Sequence, residues 1–142
     1  MNKSDAIKYS LSLANTFEDR PFPDDYSSVV MKHTDNKKWF ALMMEVKGEI
    51  YLNVKTNPEY SELLRNAYDY IIPAYHMNKE HWNTIILDER SDSSLVEELI
   101  KQSYELTKNN IHKRKINKKG KSRGMLWAKY IKNQIKVKQK QQ

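Results

Sequence analysis

Between Lys38 and Val46 the chain carries apolar side chains on both faces of an extended segment, with Trp39, Ala41 and Met43 opposite Phe40, Leu42 and Met44. Successive residues of a strand point to opposite sides of a sheet, so this segment has no face to give to water. It predicts a central strand, covered by helices on one side and partly on the other. The neighbouring segments supply companions. Val29 and Val30 begin a strand to about Thr34, and Asp35-Asn36 brings turn chemistry. Gly48 marks the next turn, after which Ile50, Leu52 and Val54 alternate with Tyr51, Asn53 and Lys55 in a third strand.

Helices flank this group. Ala6, Tyr9, Leu13 and Phe17 recur at three- and four-residue steps and predict an amphipathic helix over about residues 3–16. Pro21-Phe22-Pro23-Asp24-Asp25 then forces a loop. Asn57 before Pro58 reads as a cap residue with proline in the first helical position, and Leu63, Leu64, Ala67 and Tyr68 form that helix's stripe. Ile71–His76 and Trp82–Asp88 read as two more strands around Met77–His81. Ser94 and Glu97 form a candidate capping box for a last helix with Leu95, Val96, Leu99, Ile100, Ser103 and Leu106 inside. The order α-β-β-β-α-β-β-α with short connections predicts an α+β fold. It is a two-layer α/β sandwich on a mostly antiparallel five-stranded sheet. Trp39, Phe40, Leu42, Leu52, Trp82, Ile86, Leu95 and Leu99 are its expected core.

Charge divides the chain in two. Residues 1–110 hold 13 Lys and Arg against 18 Asp and Glu, a balance of −5. Residues 111–142 hold 12 basic residues and no acid, a balance of +12. The expected organisation is therefore one domain over 1–110 and a basic extension over 111–142. A polyanion is attracted by the extension and, on average, repelled by the domain. The extension itself has two parts. Lys113, Arg114, Lys115, Lys118, Lys119, Lys121 and Arg123 form a basic run broken by Gly120. Leu126, Trp127, Tyr130, Ile131 and Ile135 then predict a basic amphipathic helix over about 125–138, suited to docking on the domain or to a partner. With no cysteine, disulfides and thiolate metal sites are excluded. The first residues lack the apolar core of a signal peptide, and no apolar run approaches the roughly 20 residues of a membrane span. A cytoplasmic location without integral membrane association is expected.

The densest polar and aromatic stretch is Pro73-Ala74-Tyr75-His76-Met77-Asn78-Lys79-Glu80-His81-Trp82-Asn83-Thr84. Together with Met31-Lys32-His33, Lys38–Leu42, Leu52–Lys55, Asn57-Pro58-Glu59 and Ser103–Leu106, it closely resembles the MmcQ/YjbR family over about residues 3–109. The resemblance implies an α+β fold similar to frataxin-like (CyaY-like) and secretion-chaperone domains, and a DNA-binding role. Residues 111–142 match nothing in the family's pattern.

His76 and His81 are five apart with Lys79 between them, a spacing that fits neither the four-residue step of H-E-x-x-H nor its inverted form. No metal site or cofactor is expected. No cysteine or glycine-flanked serine offers a nucleophile, and Asp24-Asp25 and Glu97-Glu98 read as a loop pair and a solvated face. No catalytic residue is expected, and the chain reads as a non-enzymatic protein. Tyr75, Trp82 and His81 fit packing roles, and Asn78 suits a turn that bonds its own backbone. Lys32, Lys38, Lys55, His76, Asn78, Lys79 and His81 are the domain's candidate contacts to nucleic acid, DNA or RNA, beside the basic run from Lys113 to Arg123. Lysine can neutralise phosphates and aromatic rings can stack on bases, although lysine is also the common residue of an exposed strand edge. The alternative is a protein-interaction or chaperone-like module using the sheet face or the basic helix.

Overall fold

The computed structural model describes residues 1–108; the expected helix over 125–138 lies outside the described residues, as does the basic run from Lys113 to Arg123. The described chain is α+β: α1 (Lys3–Ser12), β1 (Thr16–Asp19), β2 (Val29–His33), β3 (Trp39–Val46), β4 (Glu49–Lys55), α2 (Pro58–Ala67), β5 (Ile71–Pro73), β6 (Trp82–Leu87) and α3 (Ser93–Leu106). The six strands form one open sheet in the order β1-β2-β3-β4-β6-β5, with every neighbouring pair antiparallel. The doubly apolar segment is indeed interior, flanked by β2 and β4.

Its sixth strand is the main departure from expectation. The first helix stops at Ser12, and Asn15 turns the chain with φ of 58°. The Thr16 hydroxyl reaches the carbonyls of Ser10 and Leu13 at the end of the helix, and Ser10 O also accepts from Leu13 N. Thr16–Asp19 then pairs with β2 as an edge strand. The step from Leu13 to Phe17 looks helical, and four residues are too few to display a period of two. Sequence periodicity therefore merged helix and strand.

Register places Val29, Met31, Ala41, Met43, Leu52, Val54, Ile85 and Ile71 in one continuous row across the sheet. All are at most 2 % exposed. This row shares its face with Asn83, whose side chain meets Arg65 of α2, and with His33, whose ring meets Tyr104 of α3, so the core lies between that face and these helices. On α2, Ser61 and Leu64 are buried while Leu63 is exposed, so the inward stripe is narrower than its pattern implied. Leu95, Val96, Leu99 and Ile100 of α3 are buried as expected. Its cap is Asp92, whose carboxylate accepts from Ser94 N, rather than a Ser94–Glu97 box. Asn57 caps α2 as expected.

Trp39 and Trp82 are half-buried rather than sealed. Each opens a strand at the same end of the sheet, paired with Lys32 and Lys55 respectively. A terminal rung has strand neighbours on one side only, and Phe22 covers Trp39 edge-on at 6.0 Å. At this end β3 and β4 also part. Their pairing ends at Ala41 and Val54, and Ser103 of α3 enters the gap. Its hydroxyl accepts from Lys55 N at 2.8 Å and donates to the Phe40 carbonyl at 2.6 Å, replacing the missing rung.

His33 closes the same end. It is 3 % exposed, with its ring against Phe40 and Tyr104. Its Nε2 lies 2.8 Å from the Thr107 hydroxyl, which donates to the Ser103 carbonyl. Burial lowers the His33 pKa from its ordinary value of about 6.5; Asp35, a hydrogen bond to the Tyr104 backbone and Glu105 oppose the shift, and Lys108 adds to it. The unfolded chain therefore takes up this proton at higher pH than the folded one. Stability from neutral His33 is present above about pH 6.5 and is lost as pH falls from there through the folded value. Urea midpoints at pH 7.5 and 5.5 should show a decline that is smaller in His33→Gln. An unchanged decline would assign it to other groups.

Candidate functional site

Lys32, Lys38, Lys55 and His81 stand at or next to the end of the sheet where β2 stops, β3 starts, β4 stops and β6 starts, whereas His76, Asn78 and Lys79 belong to the loop between β5 and β6. Their individual settings differ. Lys32 is committed to Asp19 of β1, at 2.6 Å, and its ammonium lies 6.0 Å from the Phe17 ring centre. That ion pair holds the Asp19 carboxyl below the usual carboxylate range, chiefly through the hydrogen bond from Lys32. Lys38 is exposed at the end of the β2–β3 turn, its backbone N–H donating to Asn36 Oδ1. Lys55 is half-buried, opposite Trp82.

The segment from Ala74 to His81 is a loop built on its own hydrogen bonds. The expected strand through His76 ends at Pro73, because proline brings no N–H to the ladder. Ala74 is fully buried. The Tyr75 amide leaves the ladder and donates to the Thr84 hydroxyl at 2.9 Å. His76 is exposed with φ of 61°, in the left-handed region where a non-glycine residue is uncommon. Asn78 does bond its own backbone, its Oδ1 accepting from Glu80 N at 2.8 Å, and its carbonyl accepts from Trp82 N. Lys79 folds back, its ammonium donating to the Ala74 carbonyl at 3.0 Å. The carbonyl of half-buried His81 accepts from Thr56 N, joining the loop to the end of β4.

Arg65 organises this loop and was not anticipated from the sequence. From α2 its Nε donates to Asn83 Oδ1 at 2.6 Å, and its terminal nitrogen donates to the carbonyls of Lys79 and Trp82. A guanidinium can serve three acceptors at once because its donors form a fixed planar fork. The only sequence signal was a basic residue in the last turn of a helix, which more often complements the helix dipole.

Electrostatically the loop and sheet end are mixed, not uniformly basic. Asp35, Glu80 and Glu105 lie among the lysines, and Lys108 pairs with Glu105 at 3.1 Å. Elsewhere, a depression of about 510 Å³ is lined by Met1, Asp5, Lys8, Tyr9, Ser12, Ser93 and Glu97. Burial, then the charges of Glu97 and Glu98, raises the Tyr9 pKa, so its phenol stays protonated near neutral pH. Among the described residues, no helix is long and apolar enough to cross a membrane.

The residues that define this end of the sheet fall within the stretch 11–106, which matches the model of the family described as YjbR. The chain belongs to the YjbR family. YyaQ of Bacillus subtilis (strain 168) is 37 % identical over 118 residues, covering 76 % of this chain and 99 % of that protein. YjbR of Escherichia coli (strain K12) is 30 % identical over 105 residues, covering 74 % and 86 % respectively. Both bear the description uncharacterized. The crystal structure of a Pseudomonas syringae protein superposes with a TM-score of 0.72 at 33 % identity, covering 76 % of this chain and all of that one. A Deinococcus radiodurans protein gives 0.68 at 29 % identity, covering 80 % and 86 %. The YjbR match ends at residue 106, so the acid-free segment lies beyond the part that identifies the family.

Proposed function

We propose that the protein is a non-enzymatic nucleic-acid-binding protein of the cytoplasm, in which the basic extension supplies most of the attraction and the YjbR domain adds contacts of shape. The observation that carries this reading is the charge partition: 12 basic residues and no acid in residues 111–142, against a net −5 in residues 1–110. Phosphate neutralisation with counterion release is the dominant sequence-independent source of affinity for DNA and RNA. The domain's own cations support only a secondary role, since Lys32 is bound to Asp19 and Lys79 to a carbonyl. Lys38, Lys55, His76, Asn78 and His81 then form its contribution.

Fluorescence anisotropy of the full-length chain with labelled DNA and RNA, repeated from 50 to 200 mM salt, tests the proposal. Binding should weaken steeply with salt. Absence of binding at low salt would overturn it, and a pull-down that instead yields a stoichiometric protein partner would favour the interaction-module reading.

A further inference from the structure

The sheet face opposite α2 presents an ordered aromatic step. Tyr51, Asn53 and Lys55 alternate along β4, and their partners across β6 are Ile86, Thr84 and Trp82. The bond from the Thr84 hydroxyl to Asn53 Oδ1, at 2.5 Å, confirms that this row shares a face. Asn83, one residue away, points to the other face and Arg65. Above the row, the chain crosses at Tyr75, held through its amide to Thr84. The Tyr75 ring meets Tyr51 edge-on, with centroids 5.6 Å apart and planes at 90°. The His76 ring follows at 4.0 Å from Tyr75.

This step is rigid below and open above. Asn53 and Thr84 are fully buried and bonded to one another, with Asn53 Nδ2 also reaching the Leu42 carbonyl, so they act as a fixed base. Tyr75 is 38 % exposed, and His76 is exposed. The left-handed backbone at His76 brings its ring beside Tyr75 instead of across the strand. Lys55 borders the step at the end of its row, opposite Trp82. Exposed rings with a bordering cation match the combination by which proteins hold unpaired bases: a π-face for stacking and a charge for the backbone. A duplex offers phosphates but keeps its bases stacked inside, so it can use the lysines and not the rings.

We propose that the Tyr51–Tyr75–His76 step stacks an unpaired base, and that the protein therefore prefers single-stranded nucleic acid to duplex. This rests on the nucleic-acid reading above and specifies its ligand. The acid-free segment attracts both forms through phosphates, and the step distinguishes them.

The test uses the full-length chain, a labelled single-stranded oligonucleotide of mixed sequence and the duplex made by adding its complement. Tyr75→Ala and His76→Ala should each weaken single-strand binding by about 5- to 150-fold, the range expected for one lost stacking contact. Duplex binding should stay unchanged, and Tyr75→Phe should retain most of the single-strand affinity. Amide NMR of the unmodified chain gives a readout that needs no variant: single strand, and not duplex, should shift Tyr75, His76 and Thr84. Equal losses for both ligands, or saturation without shifts at those amides, would overturn the single-strand inference and leave nucleic-acid binding standing. Failure of the unmodified chain to bind either ligand would remove both.

Discussion

Reversing Lys113, Arg114, Lys115, Lys118 and Lys119 to glutamate in the full-length chain should remove most of its affinity for DNA and most of the salt dependence of that affinity. Each phosphate neutralised on duplex DNA contributes about −0.9 to the slope of log affinity against log salt. Five reversals remove five cations and add five anions, turning attraction into repulsion over the basic run. The domain cannot compensate, because it is itself net acidic, with 13 basic residues against 18 acidic ones in residues 1–110. Lys32→Ala is the informative contrast. Its ammonium already serves Asp19, so its loss should change the slope little while loosening the β1–β2 edge. Anisotropy titrations at several salt concentrations measure both slopes. A quintuple variant with an undiminished slope would transfer phosphate binding to the YjbR domain.

The readings that succeeded and failed in the sequence did so for physical reasons. Lys38–Val46 announced an interior strand because both of its faces are apolar, and it pairs on both edges. The Lys47–Gly48 turn was visible through its glycine, and both residues do adopt positive φ, as a tight hairpin requires. Short elements bonded through side chains were hidden. Strand β1 is recognisable only once Thr16 is seen to terminate α1, and a four-residue edge strand has too few alternations to stand out. The segment from Pro73 to Thr84 stood out by composition, yet its arrangement depends on Arg65, 14 residues before Lys79 and on a different element. Lys32 shows the same limit for charge. A count of lysines sees a cation available to phosphate, whereas the fold places Asp19 beside it, 13 residues away in sequence. Local patterns specify which faces are apolar. Which polar groups remain available is decided by tertiary partners.

Ser103→Ala should be among the most destabilising single-atom deletions in the domain, at about 2 to 4 kcal/mol, because one oxygen serves two backbone groups. The residue is fully buried, and its hydroxyl both accepts from Lys55 N and donates to the Phe40 carbonyl. Removing it leaves a donor and an acceptor without partners where β3 and β4 have already separated, and each such loss costs about 1 to 3 kcal/mol when water cannot enter. Lys55 is half-buried, so water can relieve its N–H in part; the carbonyl of fully buried Phe40 has less recourse. Neither strand can slide to restore the rung, since one residue of slippage would turn Ala41 and Val54 out of the core row. Urea unfolding should show a lower midpoint at unchanged slope, and hydrogen exchange should accelerate at the Lys55 amide. Ser94→Ala, at an exposed position on the same helix, should fall within about 0.5 kcal/mol of the unmodified protein. Because Lys55 leads from this rung into the aromatic step opposite Trp82, the variant should also weaken single-strand binding under conditions where it remains folded. A Ser103→Ala protein as stable as the parent, with Lys55 exchanging at its original rate, would show that the gap between β3 and β4 closes without the serine.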